Sequence, residues 1–346
     1  MGQEVTEVFL IKGGRKLKGQ VRLAGSKNAA TKMMAASLLT DEEVILDNFP
    51  RIGDTEITTE LCRLIGSKTK FRLIHGRGRL AIKTPAIKNH QVLSLSRRNR
   101  IPILTLGPLL SRCGKAEVPI AGGDKIGPRP VNLHLDALAN MGATIKITSS
   151  SYRAEAPHGL HGARIRFPHI SVGATENTIL AAVLAKGRTI IYNAAVEPEI
   201  IDMIKLLQKM GAIIELGADR TIYIDGVQKL RGADHFILSD RNEAVSWACL
   251  AVATDGKILV KEARQEDLIT FLNALRRIGG EYRVVSDGIV FWRGGALNGV
   301  ELETDAHPGF MTDWQQPFLA LLTQANGVSV LHETIYEDRL GYIKDL

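Results

Sequence analysis

The sequence predicts an α/β protein built from a repeated strand-helix-strand-helix unit that closes with one or two further strands. Three observations carry this. A phrase of the form apolar-x-x-apolar-Gly recurs as Cys62-Arg63-Leu64-Ile65-Gly66, Leu138-Ala139-Asn140-Met141-Gly142, Leu207-Gln208-Lys209-Met210-Gly211 and Leu275-Arg276-Arg277-Ile278-Gly279. Its period is about 70 residues, long enough for one supersecondary unit per copy. Helical periodicity precedes each glycine, which reads as a left-handed C-terminal cap. The chain has 346 residues, enough for two domains with cores of their own.

In chain order, Asn28 to Leu39 reads as a helix and Glu43-Val44-Ile45-Leu46 as the strand after it. Ala143 to Ile147 is a strand that follows the second capping glycine. Ala174 to Ala185 is a helix, and Gly187 to Tyr192 a strand. Ile213 to Leu216 follows the third glycine in the same way. Glu243 to Thr254 is helical and leads to Gly256-Lys257-Ile258-Leu259-Val260. Tyr282 to Val285 follows the fourth glycine, and Asp313 to Ala325 is a helix before Gly327 to Leu331. A fifth capping glycine is due beyond Leu346, where the chain stops inside the helix expected to lead to it. The chain therefore reads as a fragment lacking the last unit or so.

Bulk composition narrows the function classes. Hydrophobic residues make up 45% and charged residues 23%, ordinary for a soluble globular protein. No apolar run reaches the length of a membrane span. Val8-Phe9-Leu10-Ile11 is too short for a signal peptide, and Met1 to Thr6 fits the myristoylation pattern only by coincidence. Cys62, Cys113 and Cys249 form no paired motif, so each reads as a small buried hydrophobe in a reducing cytoplasm. Neither a zinc site nor a disulfide framework is indicated. The net charge of +7 fits nucleic acid or an anionic small molecule. Aromatics are 5% and do not interleave with basic residues, which favours the small molecule. The one basic cluster is Arg97-Arg98-Asn99-Arg100.

The most informative stretch runs from Pro119 to His134. Glycines Gly122, Gly123 and Gly127 let its backbone turn sharply, and Pro128 and Pro130 stiffen it. It offers a proton donor, Asp124, beside the cations Lys125 and Arg129. A constrained but movable loop of this kind suits an anionic substrate.

Several phrases in one order give a resemblance to a family. They are Leu23-Ala24-Gly25-Ser26-Lys27-Asn28-Ala29-Ala30, Leu106 to Leu110, Gly122 to His134, Ser171-Val172-Gly173-Ala174-Thr175-Glu176-Asn177 and Asn193-Ala194-Ala195. Asp240-Arg241, His307 to Asp313 and Glu333 to Arg339 complete the set. Over essentially its whole length the chain resembles the UDP-N-acetylglucosamine 1-carboxyvinyltransferases, the enolpyruvyl transferases that open peptidoglycan synthesis. Lys27-Asn28-Ala29-Ala30 replaces the Lys-Ser-x-Ser phrase expected of the shikimate-pathway relatives.

The resemblance implies a two-domain inverted α/β barrel of six βαβαββ units. One domain would span 27–238. The other would combine 1–26 with 239–346. It also implies a cytoplasmic enzyme that needs no cofactor, with phosphoenolpyruvate and UDP-N-acetylglucosamine as partners and neither nucleic acid nor membrane. Asp124 would be the proton donor and Asp313 the base for the sugar hydroxyl. Lys27, Arg100, Arg129 and Arg339 would bind phosphoenolpyruvate. Asn28, Arg129, Pro130, Val131, Ser171, Val172, Gly173 and Ile335 would bind the sugar nucleotide, together with Asp313. Bland alternatives stand beside these roles. Asp313 could be a helix N-cap, Lys27 and Asn28 a solvated helix start, and Arg100 part of an exposed basic run. His134 and His307 receive no chemical role.

The chain departs from the family at several positions. Asp124 stands where Cys is usual, Asn132 where Asp is common, and His169 where Lys is common. Arg100-Ile101-Pro102 replaces Arg-Ala-Ser. The part expected beyond Leu346 would hold further phosphoenolpyruvate contacts, so this form alone need not be active. A non-catalytic sugar-nucleotide-binding paralogue and a shikimate-pathway enolpyruvyl transferase are the alternative readings.

Overall fold

Each α-helix in the chain is followed by a strand. The computed structural model describes residues 8–93 and 99–346. The pattern at Met1 to Thr6 and the cations Arg97 and Arg98 lie outside the described residues.

The first unit is β1 (Lys18–Arg22), α1 (Lys27–Ser37), β2 (Glu43–Asp47), α2 (Gly53–Ile65), β3 (Lys68–Ile74) and β4 (Arg77–Lys83). The second has a 3₁₀ turn at Ile101–Thr105, then α3 (Leu106–Cys113), β5 (Lys115–Pro119), α4 (Asn132–Asn140), β6 (Thr144–Ile147) and β7 (Ser151–Glu155). The third comprises β8 (Arg164–Arg166), α5 (Val172–Ala182), β9 (Arg188–Tyr192), α6 (Pro198–Lys209), β10 (Ile213–Leu216) and β11 (Ile222–Asp225). The fourth comprises β12 (Asp234–Phe236), α7 (Arg241–Ala253), β13 (Lys257–Lys261), α8 (Ile269–Arg277), β14 (Gly280–Val285) and β15 (Gly288–Arg293). A fifth begins with β16 (Glu301–Glu303), α9 (Gln315–Leu322) and β17 (Val330–His332). Residues Gly341–Asp345 form a 3₁₀ turn rather than the α-helix expected at that point.

The capping glycines behave as the repeat predicts. Gly66, Gly142, Gly211 and Gly279 have φ of +131°, +95°, +103° and +98°, which side-chain-bearing residues adopt only with strain. Each then turns the chain into the outer hairpin of its unit. Within a unit one parallel pair is joined to an antiparallel hairpin, as in the order β10-β11-β9-β8.

The chain exchanges strands between units. β1 pairs in parallel with β13, Lys18 opposite Lys257, and β12 pairs in parallel with β2, Asp234 opposite Ile45. The two crossing segments meet as an antiparallel bridge between Gly25 and Ser239. Ser26 N–H donates to the Leu238 carbonyl at 2.8 Å, and Asp240 N–H to the Ala24 carbonyl at 2.9 Å. Two separate apolar clusters lie either side of this crossing. One is drawn from Ala29 to Ile237 and the other from Leu23 and Ala244 to Leu322.

Helices α1 and α5 lie inside the first cluster, and both are short-side-chain sequences, KNAATKMMAAS and VGATENTILAA. Small residues allow close helix approach. A Cβ on Gly107 of α3 would stand 3.0 Å from the Ala181 backbone nitrogen of α5. α2, α6 and α8 carry one apolar face and one charged face, as peripheral helices do. Among the described residues no helix is long and apolar enough to cross a membrane. Cys62 and Cys249 are buried, and burial pushes the Cys62 thiol up to about 12. Cys113 corrects the expectation of burial. It is exposed, because it closes the last turn of α3 just before the left-handed Gly114.

Two expected outcomes follow from this packing. Gly25 lies against the Asn48 carbonyl so closely that an added Cβ would overlap it. Gly25→Ala must displace backbone at the crossing and is expected to cost about 1–3 kcal/mol in urea unfolding; an unchanged midpoint would show the crossing to be pliant. The second concerns Glu176 in α5, which is buried with the Lys32 ammonium 3.9 Å away. Burial pushes its carboxyl up from 4.5 to about 7, Lys32 opposes this, and Glu197 and Glu199 add to it. Between those values the folded chain keeps a proton that the unfolded chain has released, so stability falls as pH rises through that window. Relative to Glu176→Gln, the native protein should lose about 3 kcal/mol at most from pH 4.5 to pH 7. Urea midpoints whose difference does not change with pH would contradict it.

Candidate active site

The Gly/Pro loop leaves β5 at Pro119 and enters α4 at Asn132. Between them it reaches across to the segment 333–339. Asp338 N–H donates to the Ile126 carbonyl at 3.2 Å. Gly127 has φ +123°, and a Cβ there would overlap the Glu337 carboxylate. Glycine is therefore favoured by conformation, whereas the Glu337 carboxylate, at the end of a flexible side chain, is the part that would have to move for a larger residue. Arg129 also adopts positive φ, +45°, and its guanidinium donates to the Asp124 carbonyl at 3.4 Å. The Asp124 side chain is exposed.

Under the loop two arginines stand side by side. A Cβ on Gly123 would lie 3.1 Å from Arg100 Cγ and 3.4 Å from Arg129 Nη1. Burial, and then Arg129 itself, pull Arg100 below the usual arginine range, while Tyr336 and Tyr152 pull it back up. The Arg129 guanidinium lies over the Tyr336 ring, 5.3 Å from its centroid, and Arg339 lies 5.8 Å from the same ring. Among the described residues neither Arg100 nor Arg129 forms an ion pair with a carboxylate, whereas Arg339 is paired. Two adjacent, partly desolvated cations without a counter-charge make a site for an anion.

Asp313 lies in the 3₁₀ turn Thr312–Trp314 and caps no helix, so its alternative reading does not hold. Arg339 donates to its Oδ1 at 2.6 Å, and Asn242 Nδ2 to its Oδ2 at 3.4 Å. Trp314 anchors the turn in an edge-to-face cluster, 5.6 Å from Phe310 and 6.0 Å from Phe271. Glu333 fixes the other side. It accepts from Thr312 Oγ1 at 2.9 Å, from Gln315 Nε2, and from the backbone N–H of Ile335 and Tyr336 at 2.9 and 3.0 Å. One carboxylate thus ties the Tyr336–Arg339 segment to the turn that carries Asp313.

Helix α5 presents its N-terminus to the same region. Ser171 caps it, accepting from Ala174 N–H at 3.4 Å. Gly173 faces His134, whose ring lies 2.9 Å from where a Cβ would sit. Burial, then Arg100, pushes His134 down to about 3, so its ring is neutral and accepts from the Asn177 amide at 3.3 Å. Val131 is buried, and Pro130, Val172 and Ile335 are exposed.

Neighbouring groups therefore run from Gly173 through His134, within electrostatic reach of Arg100, and on through Arg129, Tyr336 and Arg339 to Asp313. Lys27 joins by its backbone instead. Its N–H donates to Asp240 Oδ2 at 3.1 Å, and Asp240 Oδ1 accepts from Asn242 N–H at 2.8 Å. The Lys27 ammonium pairs with Asp54 at 3.2 Å. Asn28, beside it, is half-buried at the start of α1. Two ion pairs, one buried and one half-buried, join the two halves around this line. Arg241 grips Glu199 at 2.9 and 3.0 Å, and Arg77 grips Glu262. A cavity of about 810 Å³ beside Phe167, Tyr192 and Thr221 includes none of the site residues named from the sequence.

Sequence reasoning missed Tyr336 and Asn242. Both sit inside phrases that carry the resemblance or beside them, yet their partners lie far along the chain. Only their neighbourhood could have pointed to them.

Comparison with known proteins gives the family and the fold. Residues 11–346 match the EPSP synthase (3-phosphoshikimate 1-carboxyvinyltransferase) family. The chain is 48% identical to the UDP-N-acetylglucosamine 1-carboxyvinyltransferase of Protochlamydia amoebophila, over 98% of this chain and 74% of that protein. It is 49% identical to that of Chlamydia abortus, over 98% of this chain and 76% of that one. Among solved structures, the enolpyruvyl transferase NikO from Streptomyces tendae superposes with a TM-score of 0.84 at 23% identity, covering 96% of this chain and 79% of that one. EPSP synthase from Acinetobacter baumannii gives 0.71 at 17%, covering 96% and 78%. These two show the enolpyruvyl transferase fold, as the sequence predicts. The chain belongs to the UDP-N-acetylglucosamine 1-carboxyvinyltransferase family.

Proposed function

We infer that the chain transfers the enolpyruvyl group of phosphoenolpyruvate to the 3′-hydroxyl of UDP-N-acetylglucosamine and releases phosphate, the first committed step of peptidoglycan synthesis. The observation that carries the site is the pair Arg100 and Arg129, side by side under the loop without carboxylate partners among the described residues. Phosphoenolpyruvate brings a phosphate and a carboxylate, the charges such a pair lacks. Arg339 supplies a third cation on the carboxylate side. Lys27 reaches the same anion by leaving Asp54.

The sugar nucleotide runs along the other part of the line. Backbone amides at Ser171, Val172 and Gly173, where α5 begins, suit its diphosphate. Arg129, Pro130 and Val131 line the approach, and Asn28, Asp313 and Ile335 meet the sugar. Asp313 takes the proton from the 3′-hydroxyl as its oxygen adds to C2 of phosphoenolpyruvate. Asp124 gives a proton to C3, which leaves a tetrahedral ketal. Loss of a C3 proton back to the enzyme and departure of phosphate from C2 form the enol ether. Every proton that enters is returned or carried off, and no oxidant is needed.

The two apolar clusters and the Gly25–Ser239 crossing support a division into 27–238 and 1–26 with 239–346. Three free cysteines support a cytoplasmic setting.

Asp124→Asn tests the proton donor. Turnover with both substrates should fall by about 10²-fold or more, while calorimetry finds UDP-N-acetylglucosamine binding as before. Asp124→Cys should keep turnover and gain time-dependent inactivation by a small epoxide phosphonate, because a thiolate opens an epoxide far faster than a carboxylate does. Full activity in Asp124→Asn would remove Asp124 from the chemistry. Separately, Arg129→Ala should raise the phosphoenolpyruvate KM by about tenfold or more, as expected for a charge-assisted contact; an unchanged KM would exclude Arg129 from the anion site.

A further inference from the structure

We propose that Asn242 is a positioning residue that aims the Asp313 carboxylate, and that the Trp314 indole locks Asn242 in the orientation this requires. The inference rests on the reading of Asp313 as the group that meets the sugar hydroxyl.

The indole Nε1–H is a donor only. It points at Asn242 Oδ1 at 2.9 Å. That contact decides which way the carboxamide faces, since an amide turned over would set NH₂ against N–H. The NH₂ is therefore directed to Asp313 Oδ2, at 3.4 Å. Trp314 is itself immobile, 1% exposed and held edge-to-face by Phe271 and Phe310. The backbone of Asn242 is fixed as well. It is the second residue of α7, and its N–H is held by the Asp240 cap at 2.8 Å.

The consequence is a carboxylate divided between two donors. Arg339 holds Oδ1 at 2.6 Å and Asn242 holds Oδ2. An ionised carboxylate offers about four lone-pair sites, so each oxygen keeps one for the substrate. The terminal torsion of an aspartate is broad and resists no rotation by itself. With Arg339 alone the group could swing about one contact. A second donor on the other oxygen removes that freedom, and near-attack geometry is sensitive to shifts of this size. Leucine at 242 would take away the donor and leave the buried indole N–H without an acceptor.

Binding by the full chain of UDP-N-acetylglucosamine and of its 3′-deoxy analogue tests this by calorimetry. The two ligands differ by the one hydroxyl that Asp313 meets. The native chain should prefer the hydroxyl-bearing ligand by about tenfold or more, the size of a hydrogen bond to a charged group. In Asn242→Leu the preference should shrink to about twofold to threefold while the affinity for the deoxy analogue stays the same. Trp314→Phe keeps an aromatic ring in the cluster while removing the N–H and part of the indole's volume, so it should give an intermediate preference and carries the test if Asn242→Leu does not fold. A general distortion would weaken both ligands together and leave the ratio intact. An undiminished preference in the folded variants overturns the proposal. Absence of any preference in the native chain would instead overturn the reading of Asp313.

Discussion

Everything at the site hangs from the place where the chain crosses itself. Ala24 to Lys27 runs one way and Leu238 to Asp240 the other, joined by backbone hydrogen bonds of 2.8 and 2.9 Å. Only a residue without a side chain fits at Gly25, because the Asn48 carbonyl occupies the space of a Cβ. The crossing sends β1 to β13 and β12 to β2, so each apolar cluster is completed by a strand from the other end of the sequence. The same few residues start two helices. Lys27 opens α1 and Arg241 opens α7, and a single carboxylate, Asp240, accepts from the backbone of both starts. Helix N-termini, with their free N–H groups, are thereby gathered at one spot.

Charge is distributed unequally around that spot. Where the two halves touch, cations are matched. Arg241 is buried with Glu199 in bidentate geometry and Arg77 holds Glu262, while within the later part of the chain Arg339 holds Asp313. Fixed pairs of this kind set orientation more than they add stability. Under the loop the matching stops. Arg100 and Arg129 face each other, and burial works against the charge on Arg100. That arrangement costs free energy in the folded chain, and the Tyr336 ring under Arg129 works against the cost. A bound dianion would remove the cost, so the strain is located where binding can use it.

The local grammar of the fold was legible in the sequence, because it depends on neighbours within a few residues. The four capping glycines all take positive φ. Ile213–Leu216 is a strand with the bounds expected, and α7 begins two residues before the expected Glu243. What was not legible depends on distance along the chain. Asn242 and Trp314 are 72 residues apart, and no periodicity links them. Apart from the resemblance Asp313 reads better as a helix cap, and Arg339, 26 residues on, shows what its carboxylate pairs with. Cys113 misled because burial was inferred from residue type, whereas its position in the last turn of α3 decides exposure. Lys27 was placed with the arginines by resemblance, and its ammonium lies on Asp54 instead.

The loop shows why residue 124 can change identity without changing the fold. Its course is held by backbone and by absent side chains. The Asp124 carbonyl accepts from Ile126 N–H at 3.1 Å and from Arg129 at 3.4 Å. Gly123 makes room for the two arginines, and Gly127 for Glu337. The carboxyl group of Asp124 takes no part in any of this and is exposed. Residue 124 is therefore free to be chosen for reactivity alone. A thiol and a carboxylic acid can both surrender a proton, but they differ widely as nucleophiles. A loop whose shape does not depend on that side chain lets one replace the other while the cations, the crossing and the latch to 337–338 stay as they are.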